Sequence, residues 1–378
     1  MYLENELNGI LVVSIEQAVA APYCSLLLRN SGARVIKVER KEGDFARNYD
    51  KGLNGKSAIF SWLNRGKESI VLDFDREEDK KLLSNIINKA DILLSNLSNE
   101  SLEKRNITRD HFRKNNPGLI HCKISGFNSK SKFSNKKAYD FLIQAETGLC
   151  SVSGIKNKSG KVGISISDLS TGLTAFSAIL RALILRNKKK QGLDIEISMF
   201  DVMADWMNMP LLIYRNNKKL PKSDGLSHSF ISPYGAYKTK DKKYILISIQ
   251  NEREWKNFCE KVLGSPEMTK HKLFNSNVER FKNRKSLNNI INSKFSKYKK
   301  NKLLKKLDKA KIANANLNNV KDLSEHALIK NKKVIFDNDE ALIAALPLEN
   351  ENFKNIHVPN LNQNFKPIYN EFNERDTK

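Results

Sequence analysis

The stretch Gly9–Arg40, GILVVSIEQAVAAPYCSLLLRNSGARVIKVER, decides the fold. A short continuous apolar run, GILVVSI, is followed by a helical pattern, AAPYCSLLLRNSG, and then by a second apolar run, ARVIKVER, which together read as a βαβ unit. Pro22 suits the first turn of the helix, where its missing N–H is not needed, and Gly32 suits a left-handed cap at the other end.

The same alternation continues outward. SIVLDF (69–74), DILLSN (91–96) and LIHCKISGF (119–127) read as strands, with REEDKKLLSNIINKA (76–90) and LEKRNITRDHFRKN (102–115) as helices between them. GISISDLSTGLTAF (163–176) adds a strand through Ile166 that passes into a long helix from Leu169 to about Arg186, followed by the strand LDIEISMF (193–200). Strands separated by helices imply a parallel, doubly wound sheet, so the fold class is α/β with a Rossmann-like large domain.

A soft prior of roughly 150 residues per domain suggests more than one domain in 378 residues. Residues 1–200 are predicted to form the large domain, completed by about 345–378, with 201–227 as a linker. A smaller α+β domain spans 228–318 and 319–344 is the return linker. The polar stretch NNKKLPKSDGLSHSF (216–230) marks the first boundary. SPYGAYKTKDKKYILISIQ (232–250) then reads as two strands around a KDKK turn, and the end, NEFNERDTK (370–378), is expected to fray.

Four dispersed cysteines without a CxxC pair argue against a disulfide framework or a zinc knuckle, and no two of the six histidines sit at i, i+4. The opening residues lack a basic n-region, and GILVVSI is too short for a signal core or a membrane span, so a cytoplasmic protein with no membrane partner is expected. The formal charge of +24 raises the question of nucleic acid. Its densest stretch, KFSKYKKNKLLKKLDKAK (294–311), keeps Leu303, Leu304 and Leu307 at helical spacing, the mark of a solvated basic face, and no nucleic-acid partner is predicted.

Ligands of open α/β sheets bind beyond the carboxyl ends of the strands, where helix N-termini offer free N–H groups. Asp168, placed between the expected strand and helix, is in that position. It either caps the helix or acts as a nucleophile towards an activated carbonyl, and periodicity does not separate the two. No GxGxxG follows the first strand and no Walker-type loop occurs, so a conventional nucleotide fingerprint is absent.

EQAVAAPYCSLLLRNSGARVIKVERKEGDFAR, NRGKESIVLDF, KISGF, YDFLIQAETGL, GISISDLSTG and SPYGAYKTKDKKYILISIQNEREW, in that order, resemble the family III CoA-transferases, the group that includes formyl-CoA and carnitine CoA-transferases. The resemblance implies that Asp168 is the catalytic aspartate, working through acyl-anhydride and aspartyl-CoA thioester intermediates. It implies coenzyme A as co-substrate and no metal, since the substrate arrives already activated. Arg40 and Lys104 fall near the adenine and phosphates, Asn96 and Leu97 along the cofactor, and Val19 and Ala20 at the mouth of the active site. It further implies a homodimer whose chains interlock, with SPYGAY and SIQNEREW closing the partner's pocket.

The chain departs from the family pattern in places. Many relatives have an arginine where Lys104 stands, and lysine lacks the planar fork that grips phosphate, so Arg105 is an alternative contact. The glycine-rich loop that covers the aspartate in some members is not visible. The α-methylacyl-CoA racemases share the fold and the aspartate but need a second acid/base, a histidine, where this chain has Tyr139; a phenol with an ordinary pKa near 10 replaces it poorly. Tyr139 would instead shape the carboxylate site or lie in the core. A third reading is a non-catalytic protein that binds CoA or another polyanion. EQAVAAPYC and SIQNEREW are similar to a subgroup acting on short dicarboxylic acids.

Overall fold

A computed structural model describes residues 5–155, 158–221, 223–337, 339–348 and 356–373. The chain divides into two compact units: Met1–Leu149, Lys161–Leu212 and Lys330–Lys378 form the first, and Cys150–Gly160 and Ile213–Ile329 the second.

The first unit is built on a parallel sheet of β1 (Leu11–Ile15), β2 (Arg34–Glu39), β3 (Glu68–Val71), β4 (Ile92–Ser95), β5 (Ile120–Ser125) and β6 (Asp194–Ser198), in the order β3-β2-β1-β4-β5-β6. This is the Rossmann strand order, with its switch point between β1 and β4. Alternate residues of each strand feed opposite faces. Val13, Ile36 and Leu93 pack against helix Glu77–Lys89 and, through Ile368 and Phe372, helix Phe365–Asn373. Val12, Val35, Ile92 and Leu94 pack against helices Ala20–Asn30 and Ile166–Lys189. Both faces are covered, which is why these strands read as unbroken apolar runs. Gly32 closes the first helix at φ +99°, a left-handed value that glycine adopts without strain.

The long helix begins at Ile166, so the strand expected through that residue is not formed. The partner it would need is taken, because β5 pairs with β6, which follows the helix. Two isoleucines two apart are too short a period to distinguish a strand from the approach to a helix: Ile164 is exposed, and Ile166 N–H closes a turn on its carbonyl. The 102–115 stretch forms two short helices, Asn99–Lys104 and Arg109–Phe112, interrupted at Asn106, which takes φ +56°.

Two stretches predicted as linkers hold regular structure. Residues 201–217 lie in helices Met199–Trp206 and Asn208–Asn217. Within 319–344, helix Val320–Ser324 is followed by strands Asn331–Phe336 (β10) and Asp339–Ala344 (β11), which pair antiparallel, and Ile356–His357 (β12) joins β10 in parallel. Val334 and Phe336 alternate inward from β10 onto Phe60 and Val358. Of the end expected to fray, 374–378 lie outside the described residues.

The second unit carries an antiparallel sheet, β7 (Tyr234–Lys238), β8 (Tyr244–Ser248) and β9 (Ala313–Asn316), in that order. The helices Arg284–Phe295 and Lys300–Lys309 bury Leu287, Ile291, Leu303 and Leu307 beside it, leaving their lysines in solvent.

One contact sets the geometry of the first unit. A Cβ on Gly172 would stand 2.5 Å from the Ala20 carbonyl oxygen and 3.2 Å from Cys24 N, both backbone atoms that cannot swing aside. Gly172→Ala is expected to destabilise the protein by about 1–3 kcal/mol, measured by chemical denaturation, and to depress activity more than stability.

Candidate active site

The sheet's switch point is stitched by a reciprocal amide pair. Asn96, just beyond β4, accepts the Gln17 N–H at 3.0 Å and donates to the Gln17 carbonyl at 2.8 Å. The next residue, Ala18, is held at φ +65°, a left-handed conformation that is costly for any residue with a Cβ. Its N–H is taken by Asp44 Oδ1 at 3.0 Å. Val19 and Ala20, both buried, then open helix Ala20–Asn30, whose N-cap has no side-chain hydrogen bond. The first-turn N–H groups of Ala20 and Ala21 are therefore left without a side-chain cap.

Beneath this loop lies a buried set of charges. Lys67 Nζ donates to Glu16 Oε1 at 2.7 Å, and Lys37 Nζ to Asp44 Oδ2 at 2.8 Å and Glu16 Oε1 at 3.5 Å, with all four side chains fully buried. Burial alone would push the Glu16 carboxyl up, but Lys67 and Lys37 outweigh it and hold the group at about 2. Glu39 adds a bidentate pair with Arg47 at 2.9 and 2.7 Å and accepts the Asp44 N–H.

Asp168 sits in the first turn of helix Ile166–Lys189, four residues before Gly172 and on the same face. It is not the cap of its helix. That role belongs to Asp140, whose Oδ1 accepts the Ser167 N–H at 2.8 Å and whose Oδ2 accepts from Gln144 at 2.8 Å. No hydrogen bond reaches the half-buried Asp168 carboxylate among the described residues. Burial, reinforced by the like charge of Asp140, raises its pKa to about 7.

A cavity of about 780 Å³ is lined mostly by apolar side chains, among them Val19, Ile59, Trp62, Ile343 and Leu169, the residue after Asp168, with Asp140 and Lys161 as the charged groups; Asp168 itself is not part of its wall. Leu169 packs in one cluster with Val19 and Trp62, which ties the start of the long helix to the first βα loop. Tyr49 is half-exposed, and partial burial together with negative charge, Asp44 first, raises its phenol to about 12.

The structure sets Val19 and Ala20 against the helix that carries Asp168, Val19 through Leu169 and Ala20 through Gly172. Asn96 is engaged in the loop clamp, and Leu97 packs partly buried against the core. Arg40 is exposed just past β2, its Nε on the Gly43 carbonyl at 3.1 Å. Lys104 ends its short helix in solvent. Neither cation bonds to Asp168 among the described residues. Arg105, the alternative to Lys104, is folded inward onto Ser101 at 2.9 Å and over the Phe74 ring. Tyr139 is exposed, so it is not a core tyrosine.

The model of CoA-transferase family III matches residues 7–364. The chain belongs to this family. The transferase is 31% identical over 283 residues, 74% of its length and 72% of the relative's, to an acetyl-CoA:oxalate CoA-transferase of Acetobacter aceti. It is 28% identical to a succinate–glutarate CoA-transferase of Agrobacterium fabrum, covering 75% and 73% of the two chains. Among solved structures it resembles a CaiB/BaiF family protein from Brucella suis, with a TM-score of 0.82, 28% identity and coverage of 97% and 99%. It is an enzyme that uses acyl-CoA as co-substrate.

Sequence reasoning missed Glu16, Lys37, Asp44, Lys67, Asp140 and Tyr49. One signal for the charge set was present, since Lys37 stands between Ile36 and Val38 in the middle of a strand buried on both faces. Asp140 offered none, because its partner, the Ser167 N–H, is distant in sequence.

The raised pKa has two consequences. Below pH about 4 Asp168 is protonated in both folded and unfolded chains; between about 4 and 7 the folded state keeps a proton that the unfolded state releases, so its ionisation costs stability as pH rises through that window. Asp168→Asn is therefore expected to raise stability at pH 8, on the order of 1–3 kcal/mol by denaturant titration, while losing activity. Asp140→Asn removes the like charge, so the Asp168 carboxyl is expected to titrate below its value of about 7, read by NMR of the labelled side chain.

Proposed function

We propose that this transferase moves CoA reversibly between an acyl-CoA and a free carboxylic acid through covalent intermediates on Asp168. The ionised carboxylate attacks the thioester carbonyl, forming an enzyme–acyl anhydride and releasing CoA thiolate. The thiolate attacks the Asp168 carbonyl carbon of that anhydride, expelling the donor's carboxylate and leaving an aspartyl-CoA thioester. The acceptor carboxylate attacks this thioester to form a second anhydride, and the returning thiolate attacks its acyl carbonyl, giving the new acyl-CoA and free Asp168. Activation passes along the sequence without hydrolysis.

The observation that carries the reading is a carboxylate with no hydrogen-bond partner among the described residues, relieved of capping by Asp140, whose next residue, Leu169, lines an apolar cavity. An unpartnered oxygen is free to attack, and the cavity's apolar walls disfavour the water that would destroy either intermediate. The uncapped N–H groups at Ala20 and Ala21 are the donors proposed for the oxyanion. Arg40 and Lys104, exposed beyond the carboxyl ends of their strands, are proposed to meet the CoA nucleotide, with Asn96 and Leu97 along it. Tyr139 and Lys161 are proposed to border the carboxylate site.

Relatives named for oxalate, succinate and glutarate support a short dicarboxylic acid as substrate. Lys161, a cation on a mostly apolar wall, is suited to a distal carboxylate. The long helix exposes Leu173, Ile184 and Leu185, and nearby in the chain Trp206, Met209 and Leu212 are exposed as well. A single-chain protein seldom leaves so much apolar surface in water, which supports a homodimer; its interlocking is proposed on the family resemblance, and a cytoplasmic location is proposed with it.

Incubation with succinyl-CoA or oxalyl-CoA followed by hydroxylamine is expected to give an adduct mapping to the Asp168 peptide, and Asp168→Ala is expected to lose more than a thousandfold in transfer rate. Retention of most of that rate overturns the mechanism. A racemase would instead exchange the α-proton of an acyl-CoA for deuterium without any acceptor acid, and a binding protein would hold CoA without forming an adduct.

A further inference from the structure

Outside the reacting groups, the structure's most demanding feature is the carboxylate of Asp44. It is fully buried, and each of its oxygens is committed. Oδ1 accepts the N–H of Ala18 at 3.0 Å and the N–H of Ala46 at 2.9 Å, while Oδ2 receives Lys37 at 2.8 Å. The first bond holds the one residue of the β1 loop with a positive φ, immediately before Val19. The second caps the turn Phe45–Asn48, which delivers Tyr49. Val19 shares a cluster with Leu169, the residue after Asp168. Two segments more than twenty residues apart in sequence, the loop that ends in Val19 and the turn that carries Tyr49, thus hang from one carboxylate.

Stability alone is a poor account of this arrangement. Burying Glu16, Lys37, Asp44 and Lys67 strips four charges of water, and their mutual attraction seldom returns more than apolar packing of the same volume would. What apolar packing cannot supply is a directed acceptor for the Ala18 N–H at a left-handed backbone position.

We infer that Asp44 is a positioning residue for the transfer step, holding the Ala18–Val19 loop and the Tyr49 turn in a fixed relation to Asp168. The inference rests on the reading of Asp168 as the nucleophile. Asp44 touches no reacting atom; it acts through the two segments it binds.

The test uses the full-length enzyme and charge-balanced variants, so that no buried lysine is stranded. Lys37→Gln/Asp44→Asn removes one charge of each sign and leaves the Glu16–Lys67 pair intact. It is expected to lower kcat by 10- to 100-fold with KM for acyl-CoA within threefold, and to slow the rate at which hydroxylamine-trappable adduct forms by the same factor. Hydrogen exchange should quicken at the Ala18 and Ala46 amides while amides of β1 and β2 stay protected. Adding Ala18→Gly, which takes a positive φ without a Cβ clash, is expected to restore kcat at least fivefold.

If the double variant does not fold, Asp44→Glu serves instead. It keeps the charge for Lys37 but moves the acceptor by one methylene, and a kcat loss of at least fivefold is expected. A kcat within threefold of wild type in the double variant, within twofold in Asp44→Glu, or a loss that Ala18→Gly does not relieve overturns the inference. Wild-type enzyme that turns over without any Asp168 adduct would instead sink the nucleophile reading, whereas a wild-type adduct forming at unchanged speed in the variants sinks only the role of Asp44.

Discussion

Two helices of the first unit meet where a side chain is missing. Because Gly172 brings the long helix against the Ala20 carbonyl at a distance that excludes even a methyl group, the turn carrying Asp168 and the loop carrying Val19 belong to one packed body. Much of the site's geometry follows from that approach. The cavity is walled by both elements, and helix Asp140–Glu146 can then place its first carboxylate on the Ser167 N–H. A wider helix pair would leave Asp168 solvated, and its pKa would return towards the usual carboxylate range.

The electrostatics of the unit divide into two regimes. Under the first βα loop, Glu16, Lys37, Asp44 and Lys67 are buried in balanced pairs, each charge answered within hydrogen-bond distance or close to it. At Asp168 the opposite holds: burial and a neighbouring acid oppose ionisation, and no cation answers it among the described residues. On the proposed reading of Asp168 as the nucleophile, that imbalance keeps the group reactive near neutral pH at the expense of stability. In the densest basic stretch the helix Lys300–Lys309 buries Leu303 and Leu307 and leaves Lys302, Lys305 and Lys309 exposed, so much of its charge is surface charge.

Much of the sheet was legible because its strands are buried on both faces and read as unbroken apolar runs bounded by caps such as Gly32. Legibility failed where a short pattern had two readings. Ile164 and Ile166 carry a period of two over too few residues to tell a strand from a helix approach, and the β10–β11 hairpin sets its residues in blocks, NKK before VIF and DE before ALIA, without the period of two that marks a strand. The charge set was half visible: Lys37 is anomalous in its strand, but nothing in the order of residues pairs it with Asp44 or brings Lys67 to Glu16.

What the amino-acid order determined by itself is local and periodic: the βαβ alternation, the helix ends, and an aspartate at the start of a helix within a pattern resembling CoA-transferases. What only the tertiary structure decided is the chemical state of that aspartate. Whether a carboxylate at a helix start is a cap or a nucleophile depends on which other group reaches the helix N–H and how much water remains around its oxygens. Both are set by contacts between segments far apart in the chain, with Asp140 taking the N–H and Gly172 closing the space, and no local pattern encodes a distance across the fold.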